Sequence, residues 1–244
     1  MPDFLTTSDG EKIAYEKSDG HGPTLIWCGG LKSDMEGSKA THLHNWAKTR
    51  EQAFIRFDYF GHGQSSGEFT NGTLSQWADD IATVRDQLCD GPVIFIGSSM
   101  GGWASLLAAI ANTPRTAGLV LINPAPDFTE KLTVANWTED QIKALENDGV
   151  VYEPSGYEEP YAYSKALIED GKARQVLDHP IPLTCPIRIL QGYEDAVVPW
   201  AHSKRLLDML TSKDVTYTLV SGGDHSLSRP SDLSLIESAI LSLS

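Results

Sequence analysis

The sequence predicts an α/β protein built on a mostly parallel sheet with both faces covered. Nearly unbroken apolar runs recur along the chain, the mark of strands buried on both faces. From residue 24 onward these runs alternate with helical patterns, which argues for parallel strands joined by right-handed crossovers. A chain of 244 residues with 41% hydrophobic content can also bury one sizeable core, so a single domain over residues 1–244 is expected.

The elements follow in order. KIAYEK near the start and TLIWC at 24–28 read as strands, a helix is predicted around residues 42–44, and AFIRFD at 53–58 is the next strand. TLSQWADDIATVRDQL is a helix opened by a capping box, with Thr73 at the N-cap and Gln76 three residues later. VIFIG at 93–97 leads directly into the helical WASLLAAIA, and GLVLIN at 118–123 follows. PIRILQG at 186–192, WAHSKRLLDML, VTYTLV at 215–220 and SDLSLIESAILSL complete the alternation.

One interval breaks the rhythm. Residues 126–184 hold no convincing strand; they contain TEDQIKALENDG, with a second capping box at Thr138 and Gln141, and the aromatic, acidic YEPSGYEEPYAYSKALIEDG. Some sixty residues are too many for a loop, so an inserted, largely helical cap is expected there. Its place after a strand end is where open α/β sheets put their ligand sites.

Composition narrows the partners. With 33 acidic residues against 19 basic, the formal charge is −14, which opposes nucleic acid and anionic lipid surfaces. Cys28, Cys89 and Cys185 are odd in number and far apart, unlike a disulfide framework or a zinc site. The opening MPDFLTTSDGEKIAYEK lacks signal and transit patterns, and the longest apolar stretch, WASLLAAIA, is too short to span a bilayer. A cytoplasmic protein without stable membrane insertion is therefore expected.

The chemistry centres on VIFIGSSMGGW, residues 93–103, where two serines sit on the turn between a strand and a helix. That setting is the one required by a Gly-x-Ser-x-Gly nucleophile elbow. Centred on Ser99, both flanks are glycine, Gly97 and Gly101; centred on Ser98, they are Ile96 and Met100. Ser99 is thus the candidate nucleophile, since bulk two residues away would collide with neighbouring elements. A serine hydroxyl needs a base, and in this topology acid and then histidine should follow it in the chain. Asp195 follows the strand PIRILQG and His225 follows VTYTLV, so both fall at the same carboxyl edge as Ser99. Asp127 is the alternative acid, with Glu194 also available, and His62 is the competing histidine. Backbone N–H groups of Leu31, after the Gly29-Gly30 turn, and of Met100 are the candidate oxyanion donors. Asp58, Gly61 and Gly63 in FDYFGHGQSSG read as structural.

Together GSSMGG, GYEDAVVP, GGDHS and FDYFGHGQSSG resemble the α/β-hydrolase superfamily from about residue 4 to the C-terminus. CGGLKSDMEGSKA and HPIPLTCPIRILQGYEDAVVPW are similar, more narrowly, to the family of mitochondrial palmitoyl-protein thioesterases, also described as acyl-glucuronide esterases, and their bacterial relatives. The resemblance implies an α/β-hydrolase fold and cofactor-free, metal-free hydrolysis of S-acyl thioesters or activated esters. The expected substrate is then a small-molecule ester or an acylated protein. The chain departs from that family in having Gly29-Gly30-Leu31 where Pro-Gly-Phe is usual, and in lacking a targeting segment. A short-chain carboxylesterase and a non-catalytic ligand-binding relative are the alternatives, separable by chain-length preference and by fluorophosphonate labelling.

Overall fold

A computed structural model describes residues 1–155 and 160–243. Its larger sheet is formed by β1 (Asp3–Thr6), β2 (Lys12–Ser18), β3 (His21–Cys28), β4 (Gln52–Phe57), β5 (Val93–Ser98), β6 (Thr116–Ile122), β9 (Ile187–Gly192) and β10 (Val215–Val220). The spatial order is β1-β2-β4-β3-β5-β6-β9-β10. Pairing is parallel from β4 to β10, while β1–β2 and β2–β4 are antiparallel. The expected mostly parallel sheet is therefore present, with an antiparallel edge whose outermost strand, DFLT, has too few residues to show a period.

Both faces are covered, and the period of two explains why the strands read as continuous apolar runs. In β5, Val93 and Phe95 join the core on one face with Trp77 and Trp103 from α2 (Leu74–Leu88) and α3 (Met100–Ala111). Ile94 and Ile96 point the other way, towards Leu43 of α1 (Ser38–Thr49) and Ile236 of α7 (Pro230–Leu241). Trp77 and Trp103 are completely buried. Truncating either to Ala would cost about 3–5 kcal/mol. The helix α6 (Trp200–Met209) lies between β9 and β10 in sequence and adds Leu206 to the α2–α3 side.

Helix α2 begins where its sequence signals: Thr73 accepts the Gln76 N–H at 3.1 Å. This is the half of the expected capping box that forms, and Gln76 Nε2 donates to Asp80 Oδ1 at 3.0 Å.

Between β6 and β9 the insertion is largely helical, as expected, but the structure corrects the expectation that it holds no strand. Helix α4 (Glu139–Asp148) is present, with both halves of its Thr138–Gln141 capping box. It ends at Gly149, held at φ 77°, and turns straight into β7 (Val150–Glu153). This strand pairs antiparallel with β8 (Tyr161–Ser164), and α5 (Lys165–Ala173) follows. Four-residue strands carry too little periodicity to be recognised. Residues 156–159, between the two strands, lie outside the described residues. Among the described residues no helix is long and apolar enough to cross a membrane.

Candidate active site

The turn from β5 to α3 has the geometry that its glycines predict. Ser99 sits at φ 53° and ψ −120°, a region L-residues rarely adopt, and the surrounding backbone holds it there. Its N–H donates to Ile122 O at 2.9 Å, and its carbonyl accepts the Gly102 and Ala125 N–H groups. A Cβ on Gly97 would lie 2.6 Å from Ser105 Oγ and 2.7 Å from Gly101 O, and one on Gly101 would strike the Cys28 and Gly29 carbonyls. Only glycine fits either flank.

Three loops at the carboxyl edge of the sheet bring the predicted polar residues together. His225 Nε2 is 3.2 Å from Ser99 Oγ, and His225 Nδ1 is 2.8 Å from Asp195 Oδ2. With Nδ1–H donating to the carboxylate, Nε2 is left to accept from the serine hydroxyl. The Asp195 side chain is wholly buried, and its other oxygen accepts the N–H groups of Val197 and Val198, each at 2.8 Å. Those two bonds fix the carboxylate plane.

The alternatives point elsewhere. Both Asp127 oxygens accept backbone N–H groups, from Val176 at 2.8 Å and Leu177 at 3.0 Å, which fastens the segment after α5 beneath the end of β6. Burial raises the Asp127 pKa above the usual carboxylate range, against those two bonds. Glu194 lines the pocket beside Asp195. His62 is buried among Tyr59, Phe69 and Trp77, with Nδ1 directed to Phe60 O and Nε2 to the Lys32 N–H, each at 3.1 Å. Desolvation pushes its pKa down to about 4. Ser98 is buried against the pocket floor next to Ser99.

Asn123, at the end of β6, is a residue that pattern reading passed over. Its amide NH2 donates to Asp224 O at 3.0 Å and His225 O at 2.7 Å, while its Oδ1 accepts the Gly192 N–H at 2.7 Å. One side chain thereby ties the strand leading to Asp195 to the loop carrying His225. The available signal was a polar residue ending an apolar strand, and Asn tolerates the positive φ of 44° found here. Gln191 was passed over too; its amide donates to Val198 O at 3.0 Å and approaches Asp195 Oδ2 at 3.4 Å.

Ser99 opens into a cavity of about 700 Å³. Leu31, Met100, Phe128, Leu132 and Val197 form apolar wall, and β7 and β8 contribute Glu153, Tyr161 and Tyr163. Met100 is the first residue of α3, so its N–H has no partner within the helix and stands at the positive end of the helix dipole. Leu31, which follows the Gly29-Gly30 turn, lines the same cavity as Ser99. The loop that carries it is anchored by Asp58, which accepts the Met35 N–H at 2.7 Å, and by Arg56, which donates to Met35 O. Asp58 also accepts the Gln64 N–H at 2.8 Å, in keeping with a structural role for this turn. Lys39 reaches the same wall and donates to Ser226 O; burial lowers its pKa, opposed by Asp224 and Asp232. Among the described residues no cluster of His, Cys, Asp and Glu has the makings of a metal site.

Comparison with known proteins places this arrangement in context. Residues 21–237 match the model of the alpha/beta hydrolase family. The human palmitoyl-protein thioesterase ABHD10, mitochondrial, is 36% identical over 236 residues, covering 96% of this chain and 76% of the relative. The structure of alpha/beta hydrolase domain-containing protein 10 from mouse superposes with a TM-score of 0.90 at 33% identity, covering all of both chains. A solved structure from Agrobacterium vitis S4 reaches a TM-score of 0.95 at 38% identity, covering 100% of this chain and 98% of its own.

Proposed function

Because this chain belongs to the α/β-hydrolase family, we propose that it is a serine hydrolase of carboxylic esters or S-acyl thioesters, with Ser99, His225 and Asp195 as its catalytic residues. The observation that carries the reading is the continuous hydrogen-bonded chain from Ser99 Oγ through the imidazole to the buried Asp195, opening on a cavity of about 700 Å³.

The chemistry follows from that geometry. As Ser99 Oγ attacks the acyl carbonyl, its proton passes to His225 Nε2; Asp195 holds the ring and stabilises the imidazolium. The N–H groups of Leu31 and Met100 receive the negative oxygen of the tetrahedral intermediate. Collapse breaks the bond to the alcohol or thiol, which takes the proton back, and leaves an acyl-enzyme. Water then repeats the sequence, releasing the acid and freeing Ser99. Water is the only co-substrate, so the reaction balances without a cofactor.

Apolar wall contributed by Leu31, Phe128, Leu132 and Val197 suits an acyl chain, and the 36% identity to a protein named a palmitoyl-protein thioesterase supports thioester substrates, including acylated proteins. The segment between β6 and β9 acts in this reading as a cap that selects the substrate. A short-chain carboxylesterase is the second reading, favoured by Leu31 standing at the acyl wall. The relative is named mitochondrial, whereas the sequence suggests a cytoplasmic protein; fractionation of the source cells decides between them.

The test is turnover of acyl thioesters from two to sixteen carbons beside the matching p-nitrophenyl esters, with fluorophosphonate labelling of Ser99. Rising kcat/KM with thioester chain length supports thioesterase action. Preference for acetyl and butyryl esters transfers the assignment to a carboxylesterase. A folded protein that neither labels nor turns over refutes both.

A further inference from the structure

His62 is a buried titratable side chain that the proposed chemistry does not use. Its position bears on the turn from Gly30 to Ser33, which is closed by the Ser33 N–H donating to Gly30 O at 3.1 Å. The third residue of this turn, Lys32, has φ 56°, while Leu31 before it is not in the positive-φ region. That is the pattern of a type II turn, whose third position favours glycine. A lysine there is disfavoured by roughly 1–2 kcal/mol, so an outside contact must hold it. The Lys32 N–H finds that contact in His62 Nε2 at 3.1 Å.

The imidazole is itself fixed from three sides. Nδ1 donates to Phe60 O, which also accepts Trp77 Nε1–H, and the Phe60 N–H is taken by Asp80 Oδ2 at 2.8 Å. The rings of Tyr59, Phe69 and Trp77 meet it edge-on, with centroids 5.7, 5.1 and 5.3 Å away. A donor facing Nε2 and an acceptor facing Nδ1 specify one neutral tautomer. Burial, which lowers the His62 pKa, acts in the same direction.

We infer that His62 is a positioning residue for the oxyanion turn: by accepting the Lys32 N–H it fixes the Leu31–Lys32 peptide and thereby the backbone of Leu31, whose own N–H lies on the preceding Gly30–Leu31 peptide. Type I and type II turns differ by a flip of this central peptide, and Leu-Lys by itself favours type I, which has no positive φ. In the flipped turn the Leu31 carbonyl would face the lone pair of His62 Nε2 instead of the Lys32 N–H. Acceptor would meet acceptor, so the histidine disfavours the flip. The inference rests on the hydrolase reading above for its effect on rate, but the bond itself can be read independently.

The experiment compares His62→Phe, which keeps an aromatic ring and removes the acceptor, with His62→Gln, which keeps an acceptor and removes the ring. Both are measured for ester turnover, fluorophosphonate labelling rate, thermal unfolding, and the ¹H–¹⁵N signal and hydrogen exchange of the Lys32 amide. His62→Phe should lower kcat and the labelling rate together by about 10- to 100-fold, the scale of a small misplacement at a reacting centre, with little change in KM. Its Lys32 amide should exchange faster, and His62→Gln should recover part of each loss. Unchanged kcat in folded His62→Phe overturns the inference, as does an unchanged Lys32 amide. Equal losses of rate and thermal stability in both variants, without recovery in His62→Gln, reduce His62 to packing. If the wild type hydrolyses no ester, the hydrolase reading fails, and the Lys32 amide still reports whether His62 holds the turn.

Discussion

Replacing Asp195 with Asn separates the proposed acid from its sequence rival, Asp127, because each carboxylate has a different set of partners. Asp195 Oδ1 accepts two backbone N–H groups and Oδ2 faces His225 Nδ1 at 2.8 Å. In Asp195→Asn the oxygen is retained by the two N–H groups, which leaves NH2 facing Nδ1. The imidazole must then hold its proton on Nε2, where it can no longer accept from Ser99. The same tautomer error in a serine protease costs about 10⁴-fold in kcat. At 1.36 kcal/mol per decade that is about 5 kcal/mol of transition-state stabilisation. Asp127→Asn leaves one of the Val176 and Leu177 N–H groups facing a donor, a loss of about 1–3 kcal/mol in stability. Initial rates on a p-nitrophenyl ester, alongside thermal unfolding, distinguish the two. The expected result is a crippled but stable Asp195→Asn and an active but less stable Asp127→Asn. If Asp195→Asn stays within tenfold of wild type, or Asp127→Asn is the one that loses turnover, the assignment of the acid is wrong.

Other outcomes follow from neighbouring geometry. Ser99→Ala should abolish fluorophosphonate labelling and lower turnover by several orders of magnitude, whereas Ser98→Ala should keep most of both; labelling that survives in Ser99→Ala would move the nucleophile elsewhere. Asn123→Ala should reduce kcat more than it raises KM, because Gly192 and the His225 carbonyl lose their shared anchor; steady-state kinetics showing only a KM effect would argue against this. Burial raises the Asp80 pKa to about 6 from 3.8, so the folded protein holds this proton more tightly than the unfolded chain does. Its contribution to stability is complete below pH 4 and is lost as pH rises towards 6, by an amount on the order of 3 kcal/mol. Urea unfolding of Asp80→Asn should therefore compare more favourably with wild type at pH 8 than at pH 4.5; the opposite trend would refute the assignment of the shift.

The sequence by itself determined the sheet and the strand-to-helix turn that carries Ser99. The apolar run at 93–97 identifies a buried strand because a strand covered on both faces carries apolar residues at both parities, and 186–192 reads the same way apart from Arg188 and Gln191. Gly97 and Gly101 single out Ser99 because a Cβ at either would meet backbone or Ser105 within van der Waals distance. Those are local constraints, written within a few residues. The sequence favoured Asp195 over Asp127 although both follow strand ends, and the tertiary structure shows that it is Asp195 that meets His225. Only the backbone N–H groups waiting at residues 176–177 and 197–198 distinguish an anchor from a partner. It also turned His62 from a rival base into a buried acceptor and gave Asn123 three partners, two of them about a hundred residues away. Long-range hydrogen bonds leave no period or spacing in the chain. The short pair β7–β8, which brings Glu153 and two tyrosines to the cavity, depends likewise on pairing that four residues cannot announce.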